Sequence, residues 1–141
     1  MNAITEVRQA WLAQVEEDAI DPQRPIVDAH HHLWEDFGLG RYMLKDFARD
    51  IASGHNIVKS VFVECGVGYS LTGPEHLKPA GETSFAADLA RQPRTDGNVY
   101  TEIVGIVAFA DLRLPLAQPA QRGLCRMAEG HCLNRQLREY G

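Results

Sequence analysis

The chain has 141 residues, of which 45% are hydrophobic and 23% are charged, a composition that is ordinary for one globular domain. The formal net charge is −5 and no basic block occurs in the first hundred residues, which excludes the charge pattern of a nucleic-acid-binding protein. No stretch approaches the ~18 apolar residues of a membrane span, and the three cysteines are widely spaced. We therefore expect a cytoplasmic protein with neither nucleic-acid nor membrane partners.

Residues 1–24 are predicted to form an N-terminal helical segment. Within residues 5–20, apolar side chains recur at the spacing of an amphipathic helix. Thr5 is available as the N-cap, and Asp21-Pro22 should end the helix. Nothing in this segment indicates a catalytic role.

Three apolar runs follow, and helical patterns separate them. Residues 26–32 and 57–63 read as strands, and residues 103–110 form a third run. Between them, residues 43–51 and 83–91 carry helical patterns, whereas the many Gly and Pro residues of 66–82 predict a long loop. Strands that alternate with helices predict an α/β fold whose parallel sheet is built of about three βα units.

Three consecutive histidines stand at the end of the first predicted strand. Side chains alternate between the two faces of a strand, so Asp28, His30 and His32 should point one way and His31 the other. Neutral imidazole is the commonest protein metal ligand, and a His-x-His pair can direct two nitrogens at one ion. A histidine cluster in a solvated loop is the alternative, because two ligands do not complete a metal site. His31 is expected to pack or to support the pair.

Polar residues also follow the other two predicted strands. Glu64 and Cys65 close the second strand, and Asp111 closes the third. Because the carboxyl ends of parallel strands meet at one edge, Glu64 and Asp111 are candidate catalytic residues beside the histidines. Asp28, two residues before the pair, is a third candidate, which would orient an imidazole or the strand. The alternatives are a solvated side chain for Glu64 and a helix cap for Asp111. Cys65 is predicted to be a small buried residue rather than a nucleophile, since no base adjoins it in the sequence.

The segment Ile26-Val27-Asp28-Ala29-His30-His31-His32-Leu33-Trp34 resembles the Asp-x-His-x-His-x-Trp opening of the amidohydrolase-related hydrolases, particularly their lactonase-like group. Residues 53–56, 61–65 and 105–112 resemble later parts of that pattern, so the likeness covers about residues 10–112. It implies that residues 25–112 are the N-terminal portion of a TIM (β/α)8 barrel. It also implies a divalent ion, zinc or manganese, held by His30 and His32. Some members of the resembled group work without metal, which leaves occupancy open.

The resemblance implies hydrolysis of a lactone, or of another cyclic ester or amide, by an activated water molecule. Related barrels use a similar opening to decarboxylate acids, and a protein without catalytic activity is the third alternative. A complete barrel takes ~250 residues, so we expect the 141-residue chain by itself to be inactive. Whether it forms a homo-oligomer stays open.

The composition changes at residue 112. Residues 1–111 carry 9 Lys+Arg and 17 Asp+Glu, a net charge of −8, whereas residues 112–141 carry 5 and 2, a net charge of +3. The later segment also contains no Val, Ile, Phe or Trp. We therefore expect residues 113–141 to be an atypical tail that arose by truncation or frame shift; an Arg-rich surface helix is the alternative.

Overall fold

A computed structural model describes residues 10–11, 13–15, 17–38, 40–92 and 101–111 of the chain. Strands and helices alternate within these residues. In chain order, the elements are strand β1 (Pro25–His31), helix α1 (Leu44–Ile51), strand β2 (Asn56–Val63), a 3-10 helix (Glu75–Leu77), helix α2 (Ala80–Ala90) and strand β3 (Glu102–Val107). In the described part of the chain, no helix is long and apolar enough to cross a membrane.

The three strands form one parallel sheet in the order β1-β2-β3, with β2 in the middle. At the end of β1, His31 lies opposite Phe62 of β2. At the end of β2, Val63 lies opposite Val107 of β3. The prediction of an α/β fold with a parallel sheet is confirmed, and the carboxyl ends of all three strands lie at one edge.

The core lies between the sheet and the two helices. Phe62 of β2 and Leu33, which follows β1, are fully inaccessible to solvent. Burying an apolar side chain of this size stabilises the folded state by ~1.5–3 kcal/mol, so a cluster of them holds the helices on the sheet. The buried cluster consists of Leu33, Met43, Leu44, Phe47, Phe62, Ala86, Ala87, Leu89, Ile103 and Ile106.

Helix α1 agrees closely with its predicted position, and its start is fixed locally. The backbone N–H of Met43 donates to the Asp46 carboxylate at 3.1 Å, which satisfies an amide that precedes the first turn. Leu44 and Phe47 then fall on the buried face, as their spacing of three residues predicts.

Helix α2 begins at Ala80, within the segment that the Gly and Pro content assigned to a loop. That prediction was wrong for residues 80–82. Pro79 is compatible with a helix start because the amides of the first turn have no partner inside the helix. Gly81 is required there by a close contact: a Cβ atom at this position would overlap the carbonyl of Gly68. Glycine and proline here mark a helix that packs tightly against the preceding loop.

Two further boundaries differ from the prediction. Strand β3 ends at Val107, so residues 108–110 are irregular and the third predicted strand was too long. The N-terminal helix was expected to reach residue 20, but residues 13–15 and 17–20 are turns or irregular backbone. Most of its first half, like the tail at 113–141, lies outside the described residues.

Candidate functional site

His30 and His32 meet at the carboxyl end of β1. Their Nε2 atoms are 3.1 Å apart, and the two rings lie nearly perpendicular at 85°. The intervening His31 is buried, whereas His30 is exposed and His32 is half-buried. The two imidazoles therefore converge, as the sequence predicted.

The ring of His32 has a defined tautomer. Its Nδ1–H donates to the carbonyl oxygen of Val63, the last residue of β2, at 2.8 Å. A carbonyl oxygen can only accept, so Nδ1 carries the proton and Nε2 of the neutral ring keeps its lone pair. Metal-binding histidines commonly hold their second ring nitrogen in this way, by donation to a backbone carbonyl or a carboxylate. His32 is thus arranged as an acceptor or ligand through Nε2.

The separation of the two Nε2 atoms is compatible with a shared cation. Two nitrogens that lie ~2.0–2.1 Å from one zinc-like ion are ~2.9–3.4 Å apart when the angle at the ion is between ~90° and the tetrahedral value. The observed 3.1 Å falls inside this interval. Without a cation, the same distance suits a hydrogen bond from His30 Nε2–H to His32 Nε2.

The ligand set is incomplete among the residues that the structure describes. They contain no group of three or more His, Cys, Asp or Glu side chains placed to hold a metal ion. A catalytic zinc site usually has three protein ligands and one open position. The donor atoms of His30 and His32 fit such an ion, but they supply only part of its coordination.

Asp28 acts on the backbone of the histidine segment. Its Oδ1 atom accepts the backbone N–H of His30 at 3.1 Å. This contact fixes the strand next to the pair, which is one of the two supporting roles that the sequence suggested. Among the described residues, no imidazole donates a hydrogen bond to Asp28.

Glu64 lies at the same edge as the histidines. Its backbone N–H donates to the carbonyl of Val107 at 2.9 Å, which prolongs the pairing of β2 with β3 by one residue. The side chain is half-buried. Glu64 is also the next residue after Val63, whose carbonyl orients His32.

Asp111 does not close the third strand. Strand β3 ends at Val107, and Asp111 lies four residues beyond it in half-buried, irregular backbone. Its catalytic role stays a prediction, with the strand-end position corrected.

His31 packs in the core on the other side of β1. Its ring stacks on that of Phe47, with centroids 4.4 Å apart and planes within 4°, and meets Phe62 edge-on. Neither ring nitrogen makes a hydrogen bond of normal geometry to a described residue. Burial lowers the pKa of His31, while the charge of Asp28 partly opposes this shift. The ring is therefore neutral at pH 7 and serves as an aromatic core residue.

A hairpin with aromatic side chains directly follows the histidines. Trp34 and Tyr42 exchange two backbone hydrogen bonds, at 2.8 and 2.9 Å. Leu33 is buried in the core, whereas His32 and Trp34 on either side of it are half-buried. Phe37, in the same hairpin, lies 6.0 Å from the Trp34 ring and is 51% exposed. Trp34 and Phe37 thus form an aromatic surface in the segment that follows the histidines in the chain.

Glu82 is the residue that the sequence analysis missed. It lies in the first turn of α2, is only 2% exposed, and its Oε1 atom accepts three consecutive backbone amides. The distances are 2.8 Å to Cys65, 3.0 Å to Gly66 and 3.2 Å to Val67. The signal available in the sequence was a lone Glu beside Gly81 in an apolar helix, which alone does not indicate this contact.

Cys65 is poorly suited to be a nucleophile. Burial and the adjacent Glu82 carboxylate raise the pKa of its thiol to about 11. Nucleophilic cysteines instead have lowered pKa values, because the thiolate is the reactive form. Cys65 is half-buried rather than fully buried, and its raised pKa agrees with the prediction that it is not a nucleophile.

Comparisons with family models, with curated proteins and with solved structures find no match for this chain.

Proposed function

We propose that this chain is the N-terminal βα portion of an amidohydrolase-type, metal-dependent hydrolase that acts on a lactone or another cyclic ester or amide. The observation that carries the proposal is the convergence of His30 and His32 at 3.1 Å, with His32 fixed in the tautomer that leaves Nε2 free. The parallel sheet supports it, because active sites of βα folds gather at the carboxyl ends of their strands.

In this proposal His30 and His32 hold a divalent ion, zinc or manganese. When bound, such an ion lowers the pKa of a coordinated water molecule and polarises the substrate carbonyl. The Val63 carbonyl orients His32 through Nδ1–H, and Asp28 fixes the backbone of His30. These contacts hold the donor atoms in place before the ion arrives.

The proposal assigns proton transfer to the carboxylates near the strand ends. Glu64 is the stronger candidate, since it directly follows Val63 at the site edge. Asp111 is the second candidate, in the irregular segment that follows β3. A carboxylate must come within hydrogen-bond reach of the proton that it moves, directly or through one water molecule.

The substrate would rest against the aromatic hairpin. Trp34, two residues after His32, and the exposed ring of Phe37 offer an apolar surface. A small cyclic ester has one apolar face and polar ring oxygens, so such a surface can bind the face while a cation binds the carbonyl. The proposed partner is thus a small molecule, and the proposed location is the cytoplasm, where Cys65 stays a free thiol.

Calorimetric titration of the full chain with Zn²⁺ and Mn²⁺ tests the metal site. We expect one bound ion, and a loss of at least ~10-fold in affinity for both His30→Ala and His32→Ala. His55→Ala is the matched control, because His55 is exposed and follows α1 rather than β1. Equal affinities for wild type, both site variants and the control would refute the proposed metal site.

A chain without catalytic activity of its own is the second candidate, and a specific observation favours it. The described residues place only two metal-binding side chains together, whereas a catalytic site needs more. We therefore expect the purified chain to hydrolyse simple lactones no faster than buffer. Hydrolysis above background that disappears in a His30→Ala/His32→Ala double variant would overturn this expectation and support the hydrolase directly. Decarboxylation of an aromatic acid, with the same loss in the double variant, would favour the related decarboxylases.

A further inference from the structure

We propose that Glu82 is a positioning residue for the candidate site: a built-in anion that fixes the backbone after β2 and, through it, the carbonyl that orients His32. The importance of this for catalysis rests on the proposed function, but the positioning itself concerns only contacts within the chain. Glu82 touches neither imidazole, so its effect must pass through the backbone of residues 63–67.

The amides of residues 65–67 form a concave anion-binding nest. All three N–H groups point at one oxygen of Glu82, at distances between 2.8 and 3.2 Å. Gly66 has a φ of +84°, in the left-handed region that lets successive amides converge. Such nests in loops commonly bind phosphate or other anions. Here the anion is the Glu82 carboxylate of helix α2. Because Gly81 has no Cβ, the helix can lie close enough to the loop for this contact.

The burial of Glu82 indicates why the carboxylate matters. The side chain is 2% exposed, and its second oxygen, Oε2, has no hydrogen-bond partner among the described residues. A buried charge is costly unless several groups stabilise it, so the three amides are the main compensation. Removing the carboxylate would leave three adjacent donors without their acceptor, and the loop would have to rearrange to satisfy them.

The peptide unit just before the nest links Glu82 to His32. The Val63 carbonyl of this unit accepts the His32 Nδ1–H at 2.8 Å, and its Glu64 N–H donates to the carbonyl of Val107 at 2.9 Å. One peptide plane therefore joins the imidazole, which follows β1, to the end of β3. Because the next three amides all bind Glu82, the orientation of this plane is held from β3 on one side and from α2 on the other.

The test uses the full chain without metal, labelled with ¹⁵N. The ring nitrogens of His32 report its tautomer, and hydrogen exchange reports protection of the amides of residues 65–67. In Glu82→Ala we expect exchange at these amides to be faster by ~10-fold or more. We also expect the His32 ring signals to move from a pure Nδ1–H tautomer towards a mixture. Asp88→Ala is the matched control, since it removes an exposed carboxylate from the same helix and should change neither signal.

Rescue distinguishes positioning from a general loss of packing. Formate added to Glu82→Ala should occupy the three-amide nest, slow the exchange and restore the His32 tautomer, whereas chloride at equal ionic strength should not. In Glu82→Gln, whose amide oxygen can still accept, we expect a smaller change of the same kind. If Glu82→Ala does not fold, the Glu82→Gln spectra decide the question by the same two signals.

Unchanged His32 ring signals alongside faster exchange at residues 65–67 would overturn the positioning role and leave Glu82 as a structural residue only. The same holds if exchange stays at the wild-type rate in a folded variant. None of these measurements involves a metal, so the two proposals are tested separately. A tautomer shift would support the positioning role even if calorimetry showed that the protein binds no Zn²⁺, a result that would refute the proposed metal site.

Discussion

His32 donates its Nδ1–H to the carbonyl of Val63, so a side chain that follows β1 is oriented by the last residue of β2. The contact joins residues 31 positions apart in the chain and requires the parallel pairing of the two strands. The histidine pair is therefore a product of the sheet, and its donor atoms depend on tertiary structure as well as on the His-x-His spacing.

The two histidines should contribute differently to stability. His32→Ala removes a partly buried hydrogen bond to Val63 and should lower the free energy of unfolding by ~1 kcal/mol. His30→Ala removes an exposed ring, so we expect a smaller loss, below ~0.5 kcal/mol. Urea denaturation without metal measures both values. Equal losses, or a larger loss for His30→Ala, would mean that the Val63 contact does not hold the ring.

His31 predicts acid sensitivity of the fold. Burial lowers its pKa in the folded protein, whereas in the unfolded chain the ring titrates near its ordinary value of 6.5. Below that pH the unfolded state binds more protons, so stability is present above pH 6.5 and falls as the pH drops. We expect His31→Phe, which keeps a ring against Phe47, to reduce the difference in unfolding free energy between pH 7.5 and pH 5. An undiminished difference would contradict the burial of a neutral His31.

Cys65 should react slowly with thiol reagents. With its pKa raised to about 11, only ~0.1% of the thiol is ionised at pH 8, and alkylation by iodoacetamide should be ~100-fold slower than for an ordinary cysteine. Glu82→Gln removes the negative charge and should accelerate the reaction. Mass spectrometry of the Cys65 peptide over time gives both rates and separates them from those of the other cysteines. A rapid reaction in the wild type would contradict the raised pKa, because it would mean that burial and Glu82 do not suppress ionisation of the thiol.

Gly81→Ala should destabilise the protein, although alanine is normally the better helix former. The added methyl group would overlap the Gly68 carbonyl and press on the backbone N of Ser70, and such overpacking costs ~1–3 kcal/mol. Thermal unfolding measures the loss, with Asp88→Ala as a surface control on the same helix. Stability equal to or above the wild type would mean that the loop does not pass this close to α2.

The sequence predicted the features that depend on periodicity. The expected alternation correctly separated the exposed His30 from the buried His31, although Ala29 is exposed and the pairing of β1 with β2 is irregular between Asp28 and His31. The run that became β2 was recognisable from its β-branched and apolar residues. Both patterns are local, so a single sequence carries them.

The features that the sequence did not predict depend on contacts between distant residues. Glu82 binds amides 15 to 17 positions earlier, and nothing near Glu82 in the sequence indicates that three amides converge on it. Gly81 favoured a loop by composition, yet it is needed because another segment passes over the helix. The end of β3 was predicted too late, because Ala108 and Phe109 continue the apolar run although the strand itself ends at Val107.

Consecutive histidines with opposite surroundings tie the proposed ligands to the aromatic core. Adding or deleting one residue before His30 would turn His31 outward and bury its two neighbours against Phe47 and Phe62, unless a bulge absorbed the change. The pairing of β1 with β2 is already irregular between Asp28 and His31, so this irregularity is part of the arrangement that places the three histidines. The packing of His31 thus sets the register that places both Nε2 atoms.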